Sequence, residues 1–180
     1  MLNARGRIKL KQSEREKTMT EKEMFLSNWD REHKITLKVL KAFPADKADL
    51  KPAEKSRTAK ELAWVFVAEQ SVIAEGAIKG QIDFGSLLPP PATFREVISQ
   101  YESDFPAILD KVRKMSEADY NSMMAFPVGP QQMGQFRKAD VLWMSLQDMV
   151  HHRGQFSVYL RIAGGKVPSI YGPSADEPWM

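Results

Sequence analysis

Apolar residues recur at steps of three and four through most of this chain, and they seldom alternate one by one. The first spacing lines one face of an α-helix, whereas alternation would line one face of a strand. Four segments carry the helical spacing. The first begins at Glu14 or Thr20 and carries Leu26, Trp29, His33, Leu37, Leu40 and Phe43 before Pro44 stops it. The second opens with Thr58 and Glu61, a capping box in which hydroxyl and carboxylate each satisfy a free backbone N–H. Its stripe reads Leu62, Val65 and Phe66, Glu69, Val72 and Ile73, Gly76. Gly80, Gly85 and Pro89–Pro91 then enforce a loop.

A second capping box, Thr93 with Glu96, starts the third helix, which runs through Tyr101, Phe105, Leu109 and Val112 to Met115. Pro106 inside it predicts a kink. Residues 116–137 read as irregular, with room for a short strand or extended crossover. The fourth helix spans Lys138 to Ala163, and Gly164-Gly165 ends it in a left-handed cap. Val167 to Met180, with three prolines, reads as an extended tail over the body. Four helices of this length joined by long connections predict an all-α four-helix bundle.

At 180 residues the chain is long enough for one domain with a sizeable core. The expected division is a basic, mobile tail over residues 1–18 and one bundle domain over 19–180. The first 22 residues hold seven basic and three acidic side chains; the remaining 158 hold 19 and 20. The basic excess is thus a property of the N-terminal stretch, which argues against a nucleic-acid partner. That stretch lacks the apolar segment of a signal peptide, and no run is long enough to span a bilayer, so a cytoplasmic location without membrane attachment is expected. With no cysteine, there is no disulfide, thiolate-held metal or cysteine nucleophile.

Chemistry is sought among polar residues on apolar stripes, because burying one without a partner costs about 1–3 kcal/mol. Asp148 and His152 stand four apart, one above the other on the fourth helix, where carboxylate and imidazole can chelate one divalent ion. Glu69, on the stripe of the second helix, is a candidate to face them across the core. His33 is a further polar residue on the first stripe. Each also has a plainer reading, as a boundary or core side chain held by a hydrogen bond. Arg153 reads as a salt-bridge partner or as the orienter of a ligand carboxylate. Gln155 is expected to make an inter-helix hydrogen bond.

The run His151-His152-Arg153-Gly154-Gln155 with Tyr159-Leu160-Arg161, and the later Ile170-Tyr171-Gly172-Pro173-Ser174-Ala175-Asp176-Glu177, resemble the signature of the DinB-like family. Glu61-Leu62-Ala63-Trp64 and the stretch from Trp29 to Pro44 fit as well. The resemblance implies an up-down-down-up four-helix bundle with a long crossover, often dimeric. It also implies a divalent metal on three histidines and, in characterised relatives, transferases and isomerases that use low-molecular-weight thiols. In this chain His152 matches the last ligand, Asp148 stands at the preceding one and Val65 at the first. His151 lies about 100° around the helix from His152 and does not replace it. The implied site is therefore His152, Asp148 and Glu69, or with His33 instead, holding Mn, Fe, Ni, Zn or Mg; or it is weak or vacant. Two functions stay open. One is a metal-binding transferase or hydrolase. The other is a non-catalytic homodimer that has lost the metal site and binds a small molecule near Val65, Trp64, Trp143, His33 and Arg153, or acts as an interaction protein through its dimer surface.

Overall fold

A computed structural model describes residues 18–179. Three threonine caps set its frame. Thr20 and Glu23 close a capping box at the start of α1 (Glu21–Lys41). Thr58 and Glu61 do so for α2 (Ala59–Ala68), and Thr93 and Glu96 for α4 (Phe94–Lys114). The first helix thus takes the later of its two expected starts. The expected N-terminal tail lies almost wholly outside the described residues.

The second helix is not a single α-helix. A π turn, Glu69–Ile73, follows α2 and leads into α3 (Ala74–Lys79), which Gly80 ends at φ +82°. π turns insert one residue into the helical winding and recur at functional sites. The turn brings the Glu69 side chain to 13% exposure and makes Gln70 fully buried, its Nε2 donating to the Tyr101 carbonyl at 3.0 Å. The α4 helix runs unbroken through Pro106, which lies exposed on the solvent face, so that its ring and its missing N–H disturb no buried packing.

The irregular stretch contains α5 (Glu117–Tyr120) and an antiparallel hairpin, β1 (Met123–Gly129) and β2 (Gln132–Arg137). The hairpin leads directly into α6 (Lys138–Ile162), and Gly164 supplies the left-handed cap at φ +78°. The fold is a helical bundle with this one small sheet.

Cross-helix contacts give the directions. The start of α1 meets the end of α4 through Lys22 Nζ and the Met115 carbonyl at 2.7 Å. Phe25 meets Trp143 near both starts of α1 and α6, and Phe43 meets Phe156 near both ends. Tyr159, late in α6, donates to the Arg57 carbonyl before α2, while Lys111 of α4 pairs with Glu75 of α3. The order is therefore up-down-down-up, with the long crossover 80–93 running back along the bundle. Phe25, Trp29, Phe66, Tyr101, Phe105 and Phe156 fill the interior. The C-terminal segment lies over α1 and α6, held by Lys38–Glu177 and Arg161–Asp176.

Candidate metal centre

The site lies where α6 faces the π turn. From α6, His152 turns inward at 14% side-chain exposure, while Asp148, one turn earlier, sits at the rim at 55%. From the π turn, Glu69 faces them. His152 Nε2 stands 3.6 Å from Glu69 Oε1 and 3.5 Å from Asp148 Oδ2, and one ligand atom from each residue lies within 4.8 Å of the others. Two ligand atoms at about 2.0–2.2 Å from one ion stand up to about 4.4 Å apart. The His152 separations fall inside that limit, and the bound on the third lies close to it.

Electrostatics marks Glu69. Burial pushes its carboxyl up to about 9, and the Asp148 carboxylate beside it adds to the rise; Arg57 opposes it weakly. Its Oε2 is buried with no hydrogen-bond donor against it. A buried carboxyl with a bare oxygen beside a second carboxylate and an imidazole suits a divalent cation, so the donor set fits one. His152 Nδ1 meets Gln155 Oε1 at 3.1 Å, and Gln155 Nε2 meets His151 Nε2 at 2.8 Å. Gln155 thus bonds within its own helix, not between helices as expected.

A cavity of about 410 Å³ opens beside the three residues. Trp64, Val65, Val72, Phe84 and Leu87 form its apolar wall, and Arg57 and Glu61 its polar edge. Phe84 and Leu87 come from the crossover, which Trp64 anchors through its Nε1 bond to the Leu88 carbonyl at 3.0 Å. A second cavity, about 590 Å³, adjoins the other side of Glu69 and Asp148, under Phe126 of the hairpin and Met144.

Three expected lining residues lie elsewhere. His33 is stacked flat on Phe105, centroids 3.7 Å apart, and against Tyr101, so it is a core residue and not a ligand. Burial pushes its imidazole down to about 4. Trp143 packs on Phe25. Arg153 is fully buried on the far side of α6. Its Nη1 pairs with Glu32 Oε2 at 2.8 Å and donates to Thr36 Oγ1 at 3.2 Å, and its Nη2 donates to Tyr171 Oη. Tyr171 in turn donates to Glu32 Oε2 at 2.6 Å. One residue of rotation along α6 sends Arg153 away from the face that His152 shares with Asp148.

A sequence profile of the DinB family matches residues 15–179. The chain belongs to the DinB family. The chain is similar to the uncharacterised protein YrdA of Bacillus subtilis (strain 168), 26% identical over 153 residues, 85% of this chain and 89% of that protein. A DinB-like protein of Bacillus cereus ATCC 10987 superposes with a TM-score of 0.69 at 23% identity, over 82% of this chain and 95% of that one. The DinB-like protein YjoA of Bacillus subtilis gives 0.67 at 17% identity, over 81% and 96%. These two structures share the fold. DinB proteins are generally metal-binding, and the Glu69, Asp148 and His152 group is where this member has metal-compatible donors among the described residues. No described helix is long and apolar enough to cross a membrane.

Proposed function

We propose that this DinB protein is a divalent-metal-dependent enzyme of the thiol-using transferase or hydrolase type, with His152, Asp148 and Glu69 as its metal ligands. The observation that carries the reading is Glu69: a carboxyl turned into an apolar wall, one oxygen without a donor, opposite an inward imidazole. Burying it without a partner is costly, and a cation relieves that cost. Two carboxylates and one imidazole favour Mn, Fe or Mg, while the nitrogen keeps Ni and Zn in range.

When bound, the ion supplies Lewis acidity, polarising a substrate carbonyl and lowering the pKa of a coordinated water or thiol. The chain's own groups prepare for it. Glu69 gives up its proton to become a ligand and is then the base nearest the cavity. Asp148, half exposed, can move aside and admit substrate. Trp64, Val65, Phe84 and Leu87 give the space where substrate would lie an apolar wall. Assembly as a homodimer, a small-molecule ligand and action in the cytoplasm complete the reading, with no nucleic acid or membrane involved.

Calorimetric titration with Mn²⁺ and Zn²⁺ tests it. Binding is expected in the parent protein, weakened at least about tenfold in each of Asp148→Ala, His152→Ala and Glu69→Ala. Absent heat, or binding unchanged in all three variants, overturns it.

Val65 favours a second reading. It stands at the family's first histidine position and lines the cavity as hydrocarbon. On that reading the fold binds a small apolar molecule without catalysis. Thermal stability unchanged by chelator, with tight metal binding gained only in Val65→His, is its expected signature.

A further inference from the structure

Gln155 lies three residues after His152 and four after His151, so it meets both rings on one face of α6. Its Oε1 is 3.1 Å from His152 Nδ1, and its Nε2 is 2.8 Å from His151 Nε2. An amide oxygen only accepts and an amide NH₂ only donates. In this orientation His152 must carry its ring proton on Nδ1, and His151 must offer a lone pair at Nε2. A neutral imidazole holds one ring proton, so His152 Nε2 is left bare. That atom faces Glu69 and Asp148 at 3.6 and 3.5 Å, beyond good hydrogen-bond length, with its lone pair unspent.

The reversed amide is the alternative. With NH₂ toward His152, the ring proton moves to Nε2, which then donates to the two carboxylates and cannot ligate a metal. His152 by itself allows either form. His151, exposed and outside the ligand group, meets the other end of the amide, and in its own Nδ1–H form its Nε2 can only accept, which selects the first orientation.

We infer that Gln155 is a positioning residue that holds His152 in its Nδ1–H tautomer, and that His151 sets the direction of the Gln155 amide. The role of these two residues in metal affinity rests on the metal reading above, whereas the tautomer itself does not. It also accounts for the doubled histidine and the glutamine of the His151-His152-Arg153-Gly154-Gln155 run. Ligand-orienting partners of this kind change metal affinity about 10–100-fold.

Two measurements on the full chain decide it: ¹⁵N-histidine NMR of the metal-free protein at pH 8, and Zn²⁺ titration by calorimetry. In the parent, His152 is expected as the Nδ1–H form. Gln155→Leu should mix the tautomers and weaken Zn²⁺ about 10–100-fold. His151→Lys, a pure donor, should reverse the amide, move the His152 proton to Nε2 and weaken Zn²⁺ similarly. Gln155→Glu, a pure acceptor toward His152, should keep the Nδ1–H form and at least the parent affinity. In the Gln155→Leu background, His151→Lys should add less than about threefold, because its route is gone. A His152 tautomer unmoved by Gln155→Leu and His151→Lys overturns the inference. So does a His151→Lys effect equally large without Gln155, which would be plain charge repulsion. If the parent binds neither Mn²⁺ nor Zn²⁺, the metal reading falls and the tautomer shifts still decide this one.

Discussion

Two buried carboxyls flank α6, and they sit in opposite conditions. Glu32, on α1, is enclosed by Arg153, Tyr171 and Arg31. Burial would raise its pKa, but the hydrogen bonds from Tyr171 and Arg153 outweigh it and hold the carboxyl below the usual range. Glu69, in the π turn, has a second carboxylate beside it and no donor on one oxygen, and its pKa rises to about 9. The residues that meet them, Arg153 and His152, are neighbours in sequence. The pair teaches how a bundle separates support from chemistry. One helix face is closed, its buried carboxylate met by guanidinium and hydroxyl, and the next holds a carboxyl that keeps its proton unless an added cation replaces it.

The largest effect is expected where the closed side is opened. Arg153→Met leaves Glu32 buried without its main partner and should cost about 3–5 kcal/mol in urea unfolding. A loss below about 1 kcal/mol would mean Arg31 alone suffices, and the contrast would collapse. Next comes the open side, in chelator. Glu69 keeps its proton in the native state up to about pH 9, whereas the unfolded chain releases it near 4.5, so native stability falls as pH rises between those values. Glu69→Gln removes that fall. The variant should be the more stable protein by a few kcal/mol at pH 8, the gap closing toward pH 5. Glu32 predicts the reverse sign, stability lost on acidification through its depressed pKa. Tyr171→Phe removes a hydroxyl shared by Glu32 and Arg153, and about 1–3 kcal/mol of stability should go with it by thermal unfolding. Least of all, Lys38→Ala cuts the exposed pair with Glu177 and should change stability by at most about 1 kcal/mol. A larger loss would show that surface charge, not Tyr171, pins the C-terminal segment.

The sequence carried the bundle well, because helix signals are local. Thr58–Glu61 and Thr93–Glu96 marked helix starts, Gly164 a helix end, and the periodic stripes named most of the core. Asp148 and His152 were legible as a pair for the same reason, and Glu69 because it broke an apolar stripe. What stayed hidden was long-range or aperiodic. The π turn has no breaker residue to announce it. The bond from Arg153 to Glu32 spans 121 residues, and no spacing rule reaches that far. Their stripes alone point His33 and Trp143 toward the site, but His33 stacks on Phe105 in the core and Trp143 packs edge-on against Phe25 at the core's margin. Gln155 has histidines at i−3 and i−4, and these local partners take its amide ahead of any partner on another helix.

The π turn has a consequence for how this protein tolerates change. It carries one residue more than regular winding would use over its length, so the halves before and after it are out of phase by about 100°. Excising a single residue such as Ser71 would bring them back into step. Either the Ala74 and Ala77 seam or the Glu69 carboxyl would then have to swing off its present bearing. Length in this stretch is therefore under tighter constraint than side-chain identity, and a conservative-looking deletion there should do more harm than most substitutions.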